Sequence, residues 1–293
     1  MAAPNHAREA SHARVPGGLW SDAAEPLRTL ELRPVTEEDL EFLLDSGPAL
    51  TPARRANQLL HRCLQPGQRH VVPELTVGDR EALLLQLRSL TFGDHLECLV
   101  SCPRPECEAV MQVDLDVRDV LLPAYADPRP EHQLTLDRPD GSKVCLRLRL
   151  PRAGDLDRVS ARTDPDAGAA DLLGSCVHEV SIDGSPVLLS ALDDDLLSEV
   201  ERLLAELDPQ GEIELALECS ECGSAFVVLF DAGTFLLQEL DERAAQLLVD
   251  VHTLASHYHW QEREILALGP ARRARYLDLI SASTTAASLW ETP

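Results

Sequence analysis

The stretch Leu96–Asp116, LECLVSCPRPECEAVMQVDLD, decides how this chain is read, because Ile213–Asp231, IELALECSECGSAFVVLFD, repeats its plan. Side chains alternate between the two faces of a strand. Leu96, Cys98, Val100 and Cys102 therefore share one face of the first segment, and Ile213, Leu215, Leu217 and Cys219 share one face of the second. In each, a tight turn brings a further cysteine, Cys107 or Cys222, before an apolar strand resumes and ends at Leu115-Asp116 or Phe230-Asp231. The copies align except that the first turn is two residues longer: four residues separate Cys102 from Cys107, and two separate Cys219 from Cys222. Strand, Cys-bearing knuckle and returning strand make half of a zinc ribbon. Two halves supply four thiolates, so Cys102, Cys107, Cys219 and Cys222 are the expected ligands of one structural zinc. The competing reading is a degenerate knuckle with buried thiols, favoured by the longer first turn with Pro103 and Pro105. Cys98 aligns with Leu215 and is read as core.

Composition narrows the setting. The chain has 293 residues, 44% hydrophobic and 26% charged, the profile of a soluble globular protein. Aromatics make up only 4%, so Leu, Val and Ala must fill the interior. No apolar run approaches the ~20 residues of a membrane span, and the N-terminus lacks the apolar stretch of a secretory signal. A cytoplasmic protein is expected, and with it eight cysteines kept reduced rather than paired. A formal net charge of -24 argues against an electrostatic grip on nucleic acid or on anionic membranes. It implies solubility, or a partner with a basic surface.

Residues 1–30, rich in Ala, Arg, His, Pro and Gly, read as a disordered tail. Residues 31–240 read as an α+β body containing both half-sites, and 241–293 as a helical C-terminal unit. Thr36 with Asp39 opens a short helix in capping-box fashion. Thr51 precedes a helix with Pro52 in its first turn. Thr76 caps a third helix, which Gly93 stops. HQLTL and KVCLRLRL flank Asp140-Gly141, a hairpin signal. PRAGDLD leads into a helical or irregular stretch, and VHEVSIDGSPV reads as a strand and turn. Leu192, Leu196, Leu197, Val200, Leu203, Leu204 and Leu207 mark one face of a helix over 189–207. Leu240, Ala244, Leu247, Leu248, Val251, Leu254 and Ala255 mark another. The fold class is thus α+β: zinc-ribbon-like knuckles, an inserted hairpin region, and flanking N- and C-terminal helices.

Other polar features have plain explanations. Asp193, Asp194 and Asp195 sit at a helix N-terminus, where carboxylates favour the dipole. His252, His257 and His259 do not share a helix face and are not read as ligands. His178 shares a strand face with Cys176 and Val180 and is expected to be a hydrogen-bonded core histidine. Arg272, Arg273 and Arg275 are either ion-pair partners or a contact patch. No P-loop, GxSxG, HExxH or GxGxxG motif occurs. A zinc held by four thiolates has no open position for water, so a catalytic role is not expected.

Four stretches carry a resemblance to a known family. They are LTVGDREALLLQLRSLTFGDHLECLVSCP from Leu75, LRLRLPRAGDLD from Leu146, LECSECGSAF from Leu217, and VDVHTLASHYHWQEREILALGPARRARYLDLI from Val249. Their order resembles that of the T4-like phage baseplate hub assembly chaperones, found in contractile phage tails and related extracellular contractile injection systems. The resemblance implies a non-catalytic factor encoded with tail and baseplate proteins and acting in their assembly. Two residues depart from the pattern. His259 stands where the Tyr-x-Trp turn should carry Gly, and Glu108 stands where the second knuckle has Gly223.

The expected partners are tail or baseplate proteins, with neither nucleic acid nor membrane. The alternative is a zinc-ribbon adaptor of another complex, nucleic-acid machinery included, and a third reading is a hydrolase or transferase with an unrecognised site. Charge separates the first two, because Glu106, Glu108, Glu218 and Glu221 crowd the knuckles against Arg104 alone. Trp260, Arg272, Arg273 and Arg275 are the candidate partner-binding residues, since aromatics and arginines dominate interface energetics. Tyr258, Trp260 and Tyr276 have the competing role of stapling the last helices together.

Overall fold

The computed structural model describes residues 10–20, 25–46 and 49–288. Strands β1 (Ser11–Leu19) and β2 (Leu27–Leu32) form an antiparallel hairpin with a register shift between Arg14 and Leu19. Helices α1 (Glu37–Ser46), α2 (Pro52–Cys63) and α3 (Val77–Phe92) follow, the last two joined by a 3-10 segment over Pro66–Glu74. Their starts are those the capping residues predict. The Thr51 hydroxyl accepts the Arg54 N–H and the Thr76 hydroxyl accepts the Asp79 N–H. Asp39 accepts both the N–H and the hydroxyl of Thr36. Burial alone would raise the Asp39 carboxyl, but Arg33, Thr36 and Arg62 hold it down at about 2.

Hairpin β3 (His95–Ser101) and β4 (Val110–Asp116) carries the first knuckle. One helical turn, α4 (Val117–Val120), leads into the insertion. There β5 (His132–Asp137) and β6 (Lys143–Leu148) form the expected hairpin, followed by α5 (Ala153–Val159) and α6 (Pro165–Cys176). Strands β7 (Val177–Ile182) and β8 (Ser185–Pro186) complete an antiparallel sheet ordered β5-β6-β7-β8. Helix α7 (Asp194–Leu207) packs Leu196, Val200 and Leu204 against Val144, Leu146, Leu148 and Val180 of that sheet. It starts later than the leucine spacing suggested, because Asp193 caps it and residues 189–191 form a 3-10 turn.

Hairpin β9 (Ile213–Glu218) and β10 (Ala225–Phe230) holds the second knuckle. Three helices end the chain: α8 (Ala232–Tyr258), α9 (Glu262–Leu266) and α10 (Pro270–Ser288). No described helix is long and apolar enough to cross a membrane. α8 runs unbroken across position 240, and its Ala244 and Leu247 belong to the main core. The boundary expected there falls inside a helix.

The main core gathers around α3, whose Leu83, Leu84, Leu85 and Leu87 are all fully buried. Asp79, Arg80, Glu81 and Arg88 are buried with them, so the helix has cover on nearly every side. The N-terminal segment supplies part of it, which corrects the expectation of a disordered tail over 11–19 and 27–30. Ala13 and Val15 are buried in the core, and the backbone of Arg14 exchanges two hydrogen bonds with the side chain of Gln86 on α3. Residues 1–9 and 21–24 of the expected tail lie outside the described residues.

A buried polar junction ties α3 to the segment after α7. Asp208 accepts the Gly78 N–H and the Tyr125 hydroxyl, each at 2.8 Å. Gln210 accepts the Leu122 N–H at 2.6 Å and donates to the Val120 carbonyl at 3.2 Å. Oδ1 of Asp79 accepts the Gly17 N–H at 2.7 Å, whereas its buried Oδ2 has no hydrogen-bond partner. Burial, reinforced by the negative field of Asp208, pushes the Asp79 carboxyl up to about 7.

A carboxyl raised on folding stabilises most below its unfolded pKa and loses that contribution as pH rises through the folded value. For Asp79 the window runs from about 4, its ordinary unfolded value, to about 7. Asp79→Asn is neutral throughout. Between pH 5 and pH 8, denaturant titrations should show wild type losing roughly 1–3 kcal/mol more stability than Asp79→Asn. Parallel pH profiles for the two proteins would show that Asp79 titrates normally.

Candidate metal centre

Each knuckle is built the same way. β3 ends as the Cys102 N–H donates to the Ala109 carbonyl at 2.8 Å, and β9 ends as the Cys219 N–H donates to the Ser224 carbonyl at 3.0 Å. In the first turn the Cys107 N–H donates to the Arg104 carbonyl at 3.0 Å, and in the second the Gly223 N–H donates to the Cys219 carbonyl at 2.9 Å. The residue after the second cysteine then takes the left-handed conformation in both, at φ 49° for Glu108 and φ 67° for Gly223. The longer first loop with its two prolines therefore arrives at the same exit geometry.

The turns converge. The sulfurs of Cys102, Cys107, Cys219 and Cys222 all lie within 4.8 Å of one another. The contacts cross between hairpins: Cys102 to Cys222 at 3.8 Å and Cys107 to Cys219 at 3.7 Å. A tetrahedron of ~2.3 Å metal–sulfur bonds has edges of ~3.8 Å, so the donor set and its spacing fit a tetrahedral metal ion. All four cysteines are free thiols. Beneath them Met111 and the two first cysteines are buried, with Ala109 and Phe226 packed alongside. Backbone N–H groups of Cys222 and Glu221 donate to the Cys219 sulfur and pull its pKa down to about 7, whereas Cys102 and Cys107, despite backbone donors of their own, are pushed up by burial and the neighbouring sulfurs. N–H donors aimed at a sulfur favour the thiolate, the form that binds metal. Cys98 belongs to the main core and stands outside the cluster, as its alignment with Leu215 implied.

Both departures from the family pattern fall on left-handed backbone. His259 closes α8 at φ 58°, the conformation a glycine would take there. A side chain in this conformation is strained by ~1–2 kcal/mol, part of which a more flexible unfolded state would return. Glu108→Gly and His259→Gly are each expected to raise stability by ~0.5–1 kcal/mol in denaturant titrations. A loss at Glu108 would mean that its side chain makes a contact worth more than the strain.

The expected partner-binding residues divide. Arg273 is buried: it donates to the Leu268 carbonyl at 2.6 Å and forms an ion pair with Glu37 of α1. It is removed from the expected surface, because its charge is spent tying α10 to the N-terminal helices. Arg272 and Arg275 are exposed. Residues one or two apart on a helix point in different directions, so one arginine of this cluster can turn inward while its neighbours do not. Trp260 is half-buried, stacked on Tyr258 at 4.7 Å and edge-on to Tyr276 at 4.9 Å between ring centroids. The three rings pack on Leu254, Ile265 and Ile280, so they do staple the last helices. His178, expected in the core, is exposed at 3.9 Å from Glu131. The register of β7 shifts there: Glu179 pairs with Arg147 and Val177 with Leu148, so His178 is left unpaired in a bulge and does not follow Val180 onto the apolar face.

The family model described as T4 bacteriophage base plate protein matches residues 28–237, which include both knuckles and the whole insertion. No curated protein and no solved structure matches the chain.

Proposed function

Because the chain belongs to the T4 bacteriophage base plate protein family, we propose that it acts in the assembly of a contractile phage-tail-like injection system. In this reading it is a non-catalytic assembly chaperone or minor baseplate component, works in the cytoplasm of the producing cell, and binds other tail or baseplate proteins. The family match is the observation that carries the reading. Two features support it. A metal held by four thiolates has no open coordination position, so the centre serves structure rather than hydrolysis. The knuckle tips expose Glu106, Glu108, Glu218 and Glu221, the wrong charge for nucleic acid.

Zinc is the ion we assign to the four cysteines, since a tetrahedral all-thiolate set suits it. Bound there, it would cross-link the two hairpins and hold the insertion between them. Elemental analysis of protein purified without chelator should give about one zinc per chain.

Arg272 and Arg275 are the exposed basic groups we assign to the partner contact on α10. Arg272→Ala with Arg275→Ala should weaken co-purification with baseplate proteins of the same gene cluster by about thirtyfold, the effect of losing one interface hot spot. Arg273→Ala instead should lower thermal stability, since it breaks the buried pair with Glu37. Undiminished binding in the folded double variant would exclude this surface.

A further inference from the structure

The second knuckle hairpin carries a surface that the metal centre does not use. β10 reads Ala225-Phe-Val-Val-Leu-Phe230, six apolar residues in a row. Phe226 packs beneath the cysteine cluster and Phe230 on the main core. Their neighbours face the other way: Val227 is 58% exposed and Leu229 is 65% exposed. Across the hairpin, Val227 faces Ala216, Leu229 faces Glu214 and Ala225 faces Glu218, all of them exposed. An apolar stripe on one strand thus runs beside an acidic row on the next.

β10 pairs with β9 alone, and among the described residues nothing hydrogen-bonds its other edge. An uncharged, proline-free strand with an open edge is a template for another strand. Soluble proteins usually place a charge on such an edge. Here the charges sit on β9, the other strand of the hairpin.

We propose that β10 receives an extended segment of a partner protein by strand addition, and that this segment alternates Lys or Arg with β-branched apolar residues. Main-chain hydrogen bonds would complete the edge of β10. Strands lie ~4.8 Å apart, so a long basic side chain on the outer face can lay its stem over Val227 or Leu229 and set its head at Glu214 or Glu218. Charge selects the occupant. A second copy would bring together two chains of net charge -24 and two acidic rows. A basic segment neutralises that row. The site uses neither the metal ligands nor Arg272 and Arg275, and does not depend on the assembly in which the chain works.

The test uses the full chain and an eight-residue peptide of alternating Lys and Val, followed by NMR. Binding should perturb and protect amides of β10. It should be at least tenfold stronger than for a peptide of the same composition with Lys and Val in blocks. Glu214→Lys with Glu218→Lys should reverse the preference toward alternating Glu and Val. Val227→Thr with Leu229→Thr, which keeps strand propensity, should weaken binding at least tenfold while leaving the remaining spectrum unchanged. Equal binding of both Lys peptides would mean charge attraction alone and would overturn the proposal. So would perturbations that map away from β10, or light scattering that shows a dimer abolished by the Thr variants.

Discussion

Cys219→Ser is expected to loosen the whole main body, beyond the knuckle that holds the residue. The β9–β10 hairpin contributes Ile213, Leu215 and Phe230 to the main core, and the first hairpin contributes Leu96, Cys98, Val100, Val113 and Leu115. Near the cysteines the hairpins share only a small buried patch around Met111. A metal held by the four cysteines would therefore be the chief tie between them at that end. Structural zinc in small domains is worth ~10–16 kcal/mol, so losing one of four thiolates should remove at least ~4 kcal/mol. In calorimetry that amounts to a melting midpoint lower by more than ~6 °C. Chelator should bring wild type down to the same value and leave the variant unmoved. A wild-type midpoint indifferent to chelator would reduce the four cysteines to packing groups.

Gly78→Ala should be comparably damaging for a different reason. A Cβ at this position would fall 2.0 Å from Oδ1 of Asp208 and 2.9 Å from the Tyr125 hydroxyl. Neither can retreat easily. Asp208 is buried and is bonded to both the Gly78 N–H and Tyr125, while Tyr125 also accepts the Gln210 N–H at 3.1 Å. Displacing the carboxylate strands the Gly78 N–H and the Tyr125 hydroxyl, which in turn holds the Gln210 N–H, and the expected loss is ~3–5 kcal/mol. Asp208→Ala alone also leaves donors unpaired, but it opens the space that a new methyl would fill. The double variant should accordingly be less destabilised than the sum of the single changes by at least ~1 kcal/mol, read from denaturant midpoints. Strict additivity would place the clash elsewhere.

What the sequence reveals here depends on whether the signal is local. Thr51-Pro52, Thr76 and Gly93 act on the turns beside them, and the helices begin and end there. The knuckles are legible because the two copies share one order of strand, cysteine, turn and cysteine, although only the folded chain shows the sulfurs meeting. β1 is obscured because Pro16, Gly17 and Gly18 speak against a strand. Its order comes from Gln86 and Asp79 on α3, residues far away in the chain. The same holds for Arg273, whose burial is decided by Glu37 at the other end of the sequence. Glu108 and His259 look like departures that would spoil their turns, yet both adopt the backbone that glycine would have taken. Residue type predicts the strain there without predicting that the turn gives way.

The insertion between the knuckles also sets a clock for biosynthesis. Cys107 and Cys219 stand 112 positions apart. At ~5–20 residues per second, the ribosome delivers the second pair of thiols roughly 6–22 s after the first. During that interval Cys102 and Cys107 emerge as a two-thiol half-site with nothing to complete it. They are open to oxidation against each other and to capture of a soft ion such as Cu(I). With zinc as the ion we assign to this site, the yield of loaded chains should follow the thiol redox state and zinc supply of the producing cell, and slowing translation across the insertion should lower it.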